Sequence, residues 1–134
     1  MSRFHLCTAI TIFTLAFPAA ALAQDFTGEY VMKGRGDAAN DSAYSGTCTL
    51  KKQGKGYDVS CLNKDTNHTY VGKGLPVGGG LAIMIGDRLV GDHGAVYEGE
   101  YLVVYERKGD GTLAGRWIDA LSGQQGNETL EPRK

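Results

Sequence analysis

The residues with chemistry to offer are two histidines, a pair of cysteines and a run of tyrosines. His68 and His93 are the candidates for metal or acid–base work, with Asp65, Asp87 and Asp92 as the acidic partners a site would need. A metal-assisted enzyme would require the two histidines to converge. Their spacing matches no ligand motif. Asp92-His93, between Gly91 and Gly94, has the composition of a surface loop, and His68 alternates as an outward-facing strand residue would. Ser42, Ser45, Ser60 and Ser122 lack the strand–turn–helix setting of a nucleophile elbow. Gly34-Arg-Gly36 and Gly78-Gly-Gly80 open no helix, as a phosphate loop must. The residues therefore read as a non-enzymatic protein, with no catalytic residue, metal or cofactor.

Tyrosine joins a large apolar area to a polar tip and suits the lining of a pocket or an interface. The chain has seven, at positions 30, 44, 57, 70, 97, 101 and 105, and one tryptophan, Trp117. Tyr30, Tyr44, Tyr70 and Trp117 are the candidate ligand-binding residues. The simpler account is that tyrosine favours strands wherever they lie. Arg88, Asp92, His93 and Tyr97 form a candidate interaction loop within residues 88–100.

Cys48 and Cys61 yield a sharper expectation. If a two-residue turn is centred between Gly54 and Lys55, facing residues sum to 109, and 48 and 61 do so. The two cysteines then stand opposite each other on antiparallel strands, close enough for a disulfide. Leu50 and Val59 face each other on the same side, which points the bridge into the core. A redox dithiol would favour a Cys-x-x-Cys spacing, and a metal site would want more ligands.

Residues 1–23 read as a cleaved signal peptide. Arg3 and His5 precede an apolar run from 6 to 17, and Ala21-Leu-Ala23 offers a small-x-small cleavage site. Export to the periplasm or beyond places the cysteine pair in an oxidising compartment. Residues 24–134 then form one domain. Of the whole chain's 14 basic and 15 acidic residues only Arg3 is lost on cleavage, so 13 − 15 leaves −2. That balance argues against a nucleic-acid partner, which would call for a basic patch. No basic amphipathic stretch suggests a membrane surface.

The elements that must position these residues are short strands. Two β-rich runs flank Asp110-Gly111, a dipeptide suited to a tight hairpin turn. A turn centred there puts Leu102 and Val104 on one face with Leu113 and Trp117, and Tyr101, Val103 and Tyr105 opposite, near Arg116. A three-residue loop with a bulge reverses that assignment. Other strands are expected at about 26–32, 42–51, 56–63, 67–73, 81–85 and 126–130, with a flexible break at 76–80. Residues 88–100 read as an extended loop, to which 95–97 could add a short strand. All 20 glycines follow position 23 and punctuate turns and close approaches. The fold expected is all-β, an antiparallel up-and-down barrel of about eight strands. Such a barrel holds packed side chains or one small ligand.

Several of these pieces resemble a family of small exported bacterial proteins often labelled "fibronectin-binding protein". They are Phe26-Thr-Gly-Glu-Tyr30, Tyr44-Ser-Gly46, Leu81-Ala-Ile-Met-Ile-Gly86, Val103-Val-Tyr105, Asp110-Gly-Thr-Leu-Ala-Gly-Arg-Trp117 and Gly126-Asn-Glu-Thr-Leu130. The resemblance implies an avidin-like, lipocalin-like barrel. Avidins place several tryptophans around biotin, whereas this chain has Trp117 alone, and its 88–100 stretch is longer than the family's usual link.

The functional expectation is a binding protein that recognises a protein partner through loops and exposed aromatics. The alternatives are a carrier of a small apolar ligand in the barrel mouth, an inhibitor of a secreted hydrolase, and a metal-assisted enzyme using His68 and His93.

Overall fold

The structure, a computed structural model, describes residues 24–90 and 96–134, with side chains described outside residues 87–100. Eight strands follow one another: β1 (Gly28–Gly36), β2 (Ala43–Gln53), β3 (Gly56–Asn63), β4 (His68–Val77), β5 (Gly80–Val90), β6 (Val96–Arg107), β7 (Leu113–Asp119) and β8 (Gln125–Pro132). Each pairs antiparallel with the next and β8 returns to β1, closing an up-and-down barrel. Closure leaves no unpaired edge around the wall. The signal-peptide expectation lies on residues 1–23, outside the described residues.

Period-two alternation sorts the side chains. Along β3, Tyr57, Val59, Cys61 and Asn63 point inward while Ser60 is exposed. The β2–β3 turn is the pair Gly54-Lys55, with Gly54 at φ 59°, a conformation glycine adopts without strain. It sets Cys48 opposite Cys61, and the two form a disulfide with their Cα atoms 4.0 Å apart. A disulfide suggests an oxidising, extracellular environment.

Three local expectations are corrected. The β6–β7 connection is five residues, 108–112, with Lys108 N–H donating to Thr112 O at 2.8 Å and Gly111 N–H to Lys108 O at 3.0 Å. The longer loop moves the register by one from a turn centred on Asp110-Gly111, so Val103 faces Trp117. Val103 and Tyr105 are therefore interior with Leu113, while Leu102 and Val104 face solvent. Residues 76–80 are not a break: β4 runs through Pro76 to Val77 and turns back at Gly78-Gly79. Proline is tolerated there because pairing with β3 has already ended at Gly74. Nor is 88–100 a loop throughout. β5 and β6 stay paired out to Val90 and Val96, beyond the last rung each shares with its other neighbour, at Gly86 on β5 and Tyr101 on β6.

The two ends of the barrel differ. At the end carrying the β2–β3, β4–β5 and β6–β7 turns, Phe26 closes the interior over Leu50, Leu81, Leu113 and Leu130, all fully buried. Tyr57 meets the Phe26 ring edge-on at 5.9 Å and accepts its N–H at 3.1 Å, and Tyr30 donates to the Phe26 carbonyl at 2.9 Å. Arg107 stacks over the outer face of the same ring, 5.5 Å from its centroid. Among the described residues the opposite end is open.

Candidate functional site

The open end holds a cavity of about 260 Å³. Its floor is a carboxylate. The run Gly126-Asn-Glu-Thr-Leu130 on β8 alternates so that Gly126, Glu128 and Leu130 all face inward, and Glu128 is only 8% exposed. In register, Glu128 lies between Gly34 on β1 and Gly115 on β7. Beyond those glycines stand Tyr44 on β2 and Tyr105 on β6. With no side chain on either glycine, both rings reach across and donate their hydroxyls to Glu128. Tyr44 binds Oε2 at 2.7 Å, and Tyr105 binds Oε1.

The space over the glycines is fully used. A methyl group on Gly34 would lie 2.1 Å from Tyr44 Cζ, and one on Gly115 would lie 2.5 Å from Tyr105 Cδ1. The indole of Trp117 crosses Gly126 in the same way, 2.3 Å from where a methyl would stand. Thus three glycines on neighbouring strands clear the way for three aromatic side chains around one acid.

The electrostatics follow from burial. Desolvation pushes Glu128 above the usual carboxylate range, against the opposing pull of the Tyr105 and Tyr44 hydrogen bonds. Desolvation, and then the nearby Glu128 carboxyl, raise both tyrosines well above their ordinary value of 10. The Trp117 indole N–H lies near enough to the Tyr44 oxygen to favour its anion slightly, yet makes no hydrogen bond of acceptable geometry. It is a buried donor without a partner among the described residues.

The raised tyrosines make stability sensitive to alkali. The folded pKa of Tyr105 lies above the unfolded value of 10, so its contribution is intact below pH 10 and is lost as pH rises further. Above pH 10, stability should fall by about 1.4 kcal/mol per pH unit from this residue alone. Urea unfolding followed by circular dichroism at successive pH values checks this. Tyr105→Phe should flatten the profile by that amount, and an unchanged slope would remove Tyr105 as its source.

Above the floor, rings continue round the wall. Tyr70 meets Tyr101 edge-to-face at 6.0 Å, and Tyr101 meets Trp117 in the same manner at 6.0 Å. Met32, Ile85 and Val103 supply aliphatic area, and the disulfide enters the wall through Cys61. Asn63 caps the β3–β4 turn, its Oδ1 accepting the N–H of Asp65 at 2.9 Å. At the rim, Asp41 accepts from the Ala38 N–H at 3.1 Å and from Gln124 Nε2 at 3.4 Å.

Of the expected ligand-binding residues, Tyr44, Tyr70 and Trp117 come together in this cavity, whereas Tyr30 sits at the closed end against Phe26. The tyrosines point inward wherever their side chains are described, at positions 30, 44, 57, 70, 101 and 105, so none of these six supplies the exposed aromatic surface expected for a protein partner. His68 also faces inward, half-buried, its ring 4.5 Å from Tyr70, rather than outward. Asp92 and His93 lie outside the described residues. Arg88 and Tyr97 fall on the ends of β5 and β6, with side chains outside the description. Among the described residues no group of three or more His, Cys, Asp or Glu is arranged to hold a metal ion. Sequence reasoning missed Glu128, although its alternation with Gly126 and Leu130 placed it on a core face. In comparisons with known proteins, the chain matches no family model and no curated protein.

Proposed function

We propose that the protein is an exported carrier or sensor that binds one small molecule in the open end of its barrel. The observation that carries this reading is the aromatic-walled cavity over the buried Glu128–Tyr44–Tyr105 cluster. A largely apolar pocket with a few convergent polar groups is the usual form of a small-molecule site. At about 260 Å³ the cavity lies just below the common range for such sites, which suits a compact ligand. The disulfide and the N-terminal segment together support a periplasmic or secreted location.

A protein partner is the second reading, and it draws on a different surface. Met84, Leu102 and Ile118 lie side by side on the outer faces of β5, β6 and β7, next to Leu75 and Val104, and all five are exposed. Contiguous apolar surface of this kind favours association.

Native mass spectrometry of protein purified from its own host without denaturant separates the two. The expected spectrum shows one small non-covalent adduct that disappears in Tyr70→Ala. A clean apoprotein, or one that carries a second polypeptide instead, overturns the cavity reading.

A further inference from the structure

Glu128 is a buried acid with no positively charged side chain paired to it among the described residues. Its two partners are neutral hydroxyls, which supply donors but no positive charge. Among the described residues, every ion pair is at the surface and none includes Glu128. A carboxylate removed from water without a counter-charge is costly.

The described cavity lining contains two carboxyl groups, Glu128 at the floor and Asp41 at the rim, and no lysine, arginine or histidine. Two cations described near the mouth are turned elsewhere. Arg35 donates its Nε–H to the Asp41 carbonyl at 3.1 Å, and Arg116 is engaged by Asp37 on the outside. Between floor and rim the wall is formed by Tyr44, Tyr70, Tyr101 and Trp117. Aromatic faces carry negative potential and attract organic cations, tryptophan most strongly. Anionic floor, aromatic wall and anionic rim thus share one sign. An anion would meet them with no compensating positive group among the described lining residues.

We infer that the cavity selects a small organic cation, a protonated or quaternary amine, whose charged head stands against Glu128 within the ring of Tyr44, Tyr70, Tyr101 and Trp117. This rests on the cavity-binding reading and narrows its ligand class. The bound cation supplies the counter-charge that the fold withholds. The unpartnered Trp117 N–H adds a preference for a ligand that also carries a hydrogen-bond acceptor, such as a hydroxyl.

The test uses three probes of one shape and different charge: choline, its uncharged carbon isostere neohexanol, and the anion tert-butylacetate. Binding to the full-length processed protein is followed by calorimetry and by the emission of Trp117, the sole tryptophan. Choline should bind about ten-fold more tightly than neohexanol, with tert-butylacetate weakest. Glu128→Gln, which keeps the side-chain volume and can still bond both tyrosines, should erase the choline advantage. Tyr70→Leu should reduce it even if Glu128→Gln fails to fold. Equal binding of choline and neohexanol, or preference for the anion, overturns the cation assignment and leaves the cavity reading standing. No binding by any probe also overturns it. The adduct seen by native mass spectrometry then decides separately whether the cavity binds anything.

Discussion

Glu128→Ala should lower the free energy of unfolding by about 2–4 kcal/mol, the cost of stranding hydroxyls that lose their acceptor in a desolvated site. The effect should fall mainly on Tyr105, which is 2% exposed and has Glu128 as its hydroxyl's partner. A double-mutant cycle isolates the cause. Tyr105→Phe should destabilise the native protein, because it removes one of the donors that holds a buried carboxylate. In the Glu128→Ala background the same change should be neutral or stabilising, since it deletes an unsatisfied hydroxyl. If the two mutations are additive in urea unfolding, the Glu128–Tyr105 contact contributes nothing of its own.

Loss of the Cys48–Cys61 bridge should cost about 2–3 kcal/mol. The bond closes a short loop, with 13 residues of sequence separation, so it restricts the unfolded chain only moderately. For a domain of this size the melting temperature should drop by roughly 10–15 °C. Cys48 and Cys61 are both buried, and Cys61 lines the cavity wall. The Cys48→Ala/Cys61→Ala double variant should therefore lose stability and weaken ligand binding together. The check is calorimetric melting of the double variant, with and without reductant. A double variant that melts with the native protein would show that the link adds no stability, whereas reductant should act on the native chain alone.

The parts of this fold that could be read from the sequence are those set by short, well-defined turns. Gly54-Lys55 permits one register, and the facing cysteines follow from it. The five-residue connection at 108–112 was harder, because Asp110-Gly111 imitates a two-residue turn, and one residue of slip exchanges every face of the hairpin. The glycines and acid at 91–94 hid the length of β5 and β6, whose pairing depends on each other rather than on local composition. The site was legible only in fragments. Tyr44, Tyr70 and Trp117 were recognisable as pocket-type residues, but Tyr30 is of the same type and lies at the other end. Glu128 depends on partners 84 and 23 residues away, reached across glycines on intervening strands. No local pattern announces an arrangement that exists only once the barrel has closed.

Phe26 stoppers the barrel at one end, which makes the interior a cup rather than a tube. A cup with a single mouth grips a molecule by its tip. In the proposed site whatever is attached to the gripped group would trail out past the described rim residues Asp41 and Gln124, so a head group at the end of a long chain should fit where the same group in mid-chain should not. Arrival and departure in the proposed site would share that mouth. In the proposed site the residence time of a ligand would therefore depend on the rim as much as on the floor, and a change at the uncharged Gln124 should alter how long a molecule stays without altering which molecule is chosen.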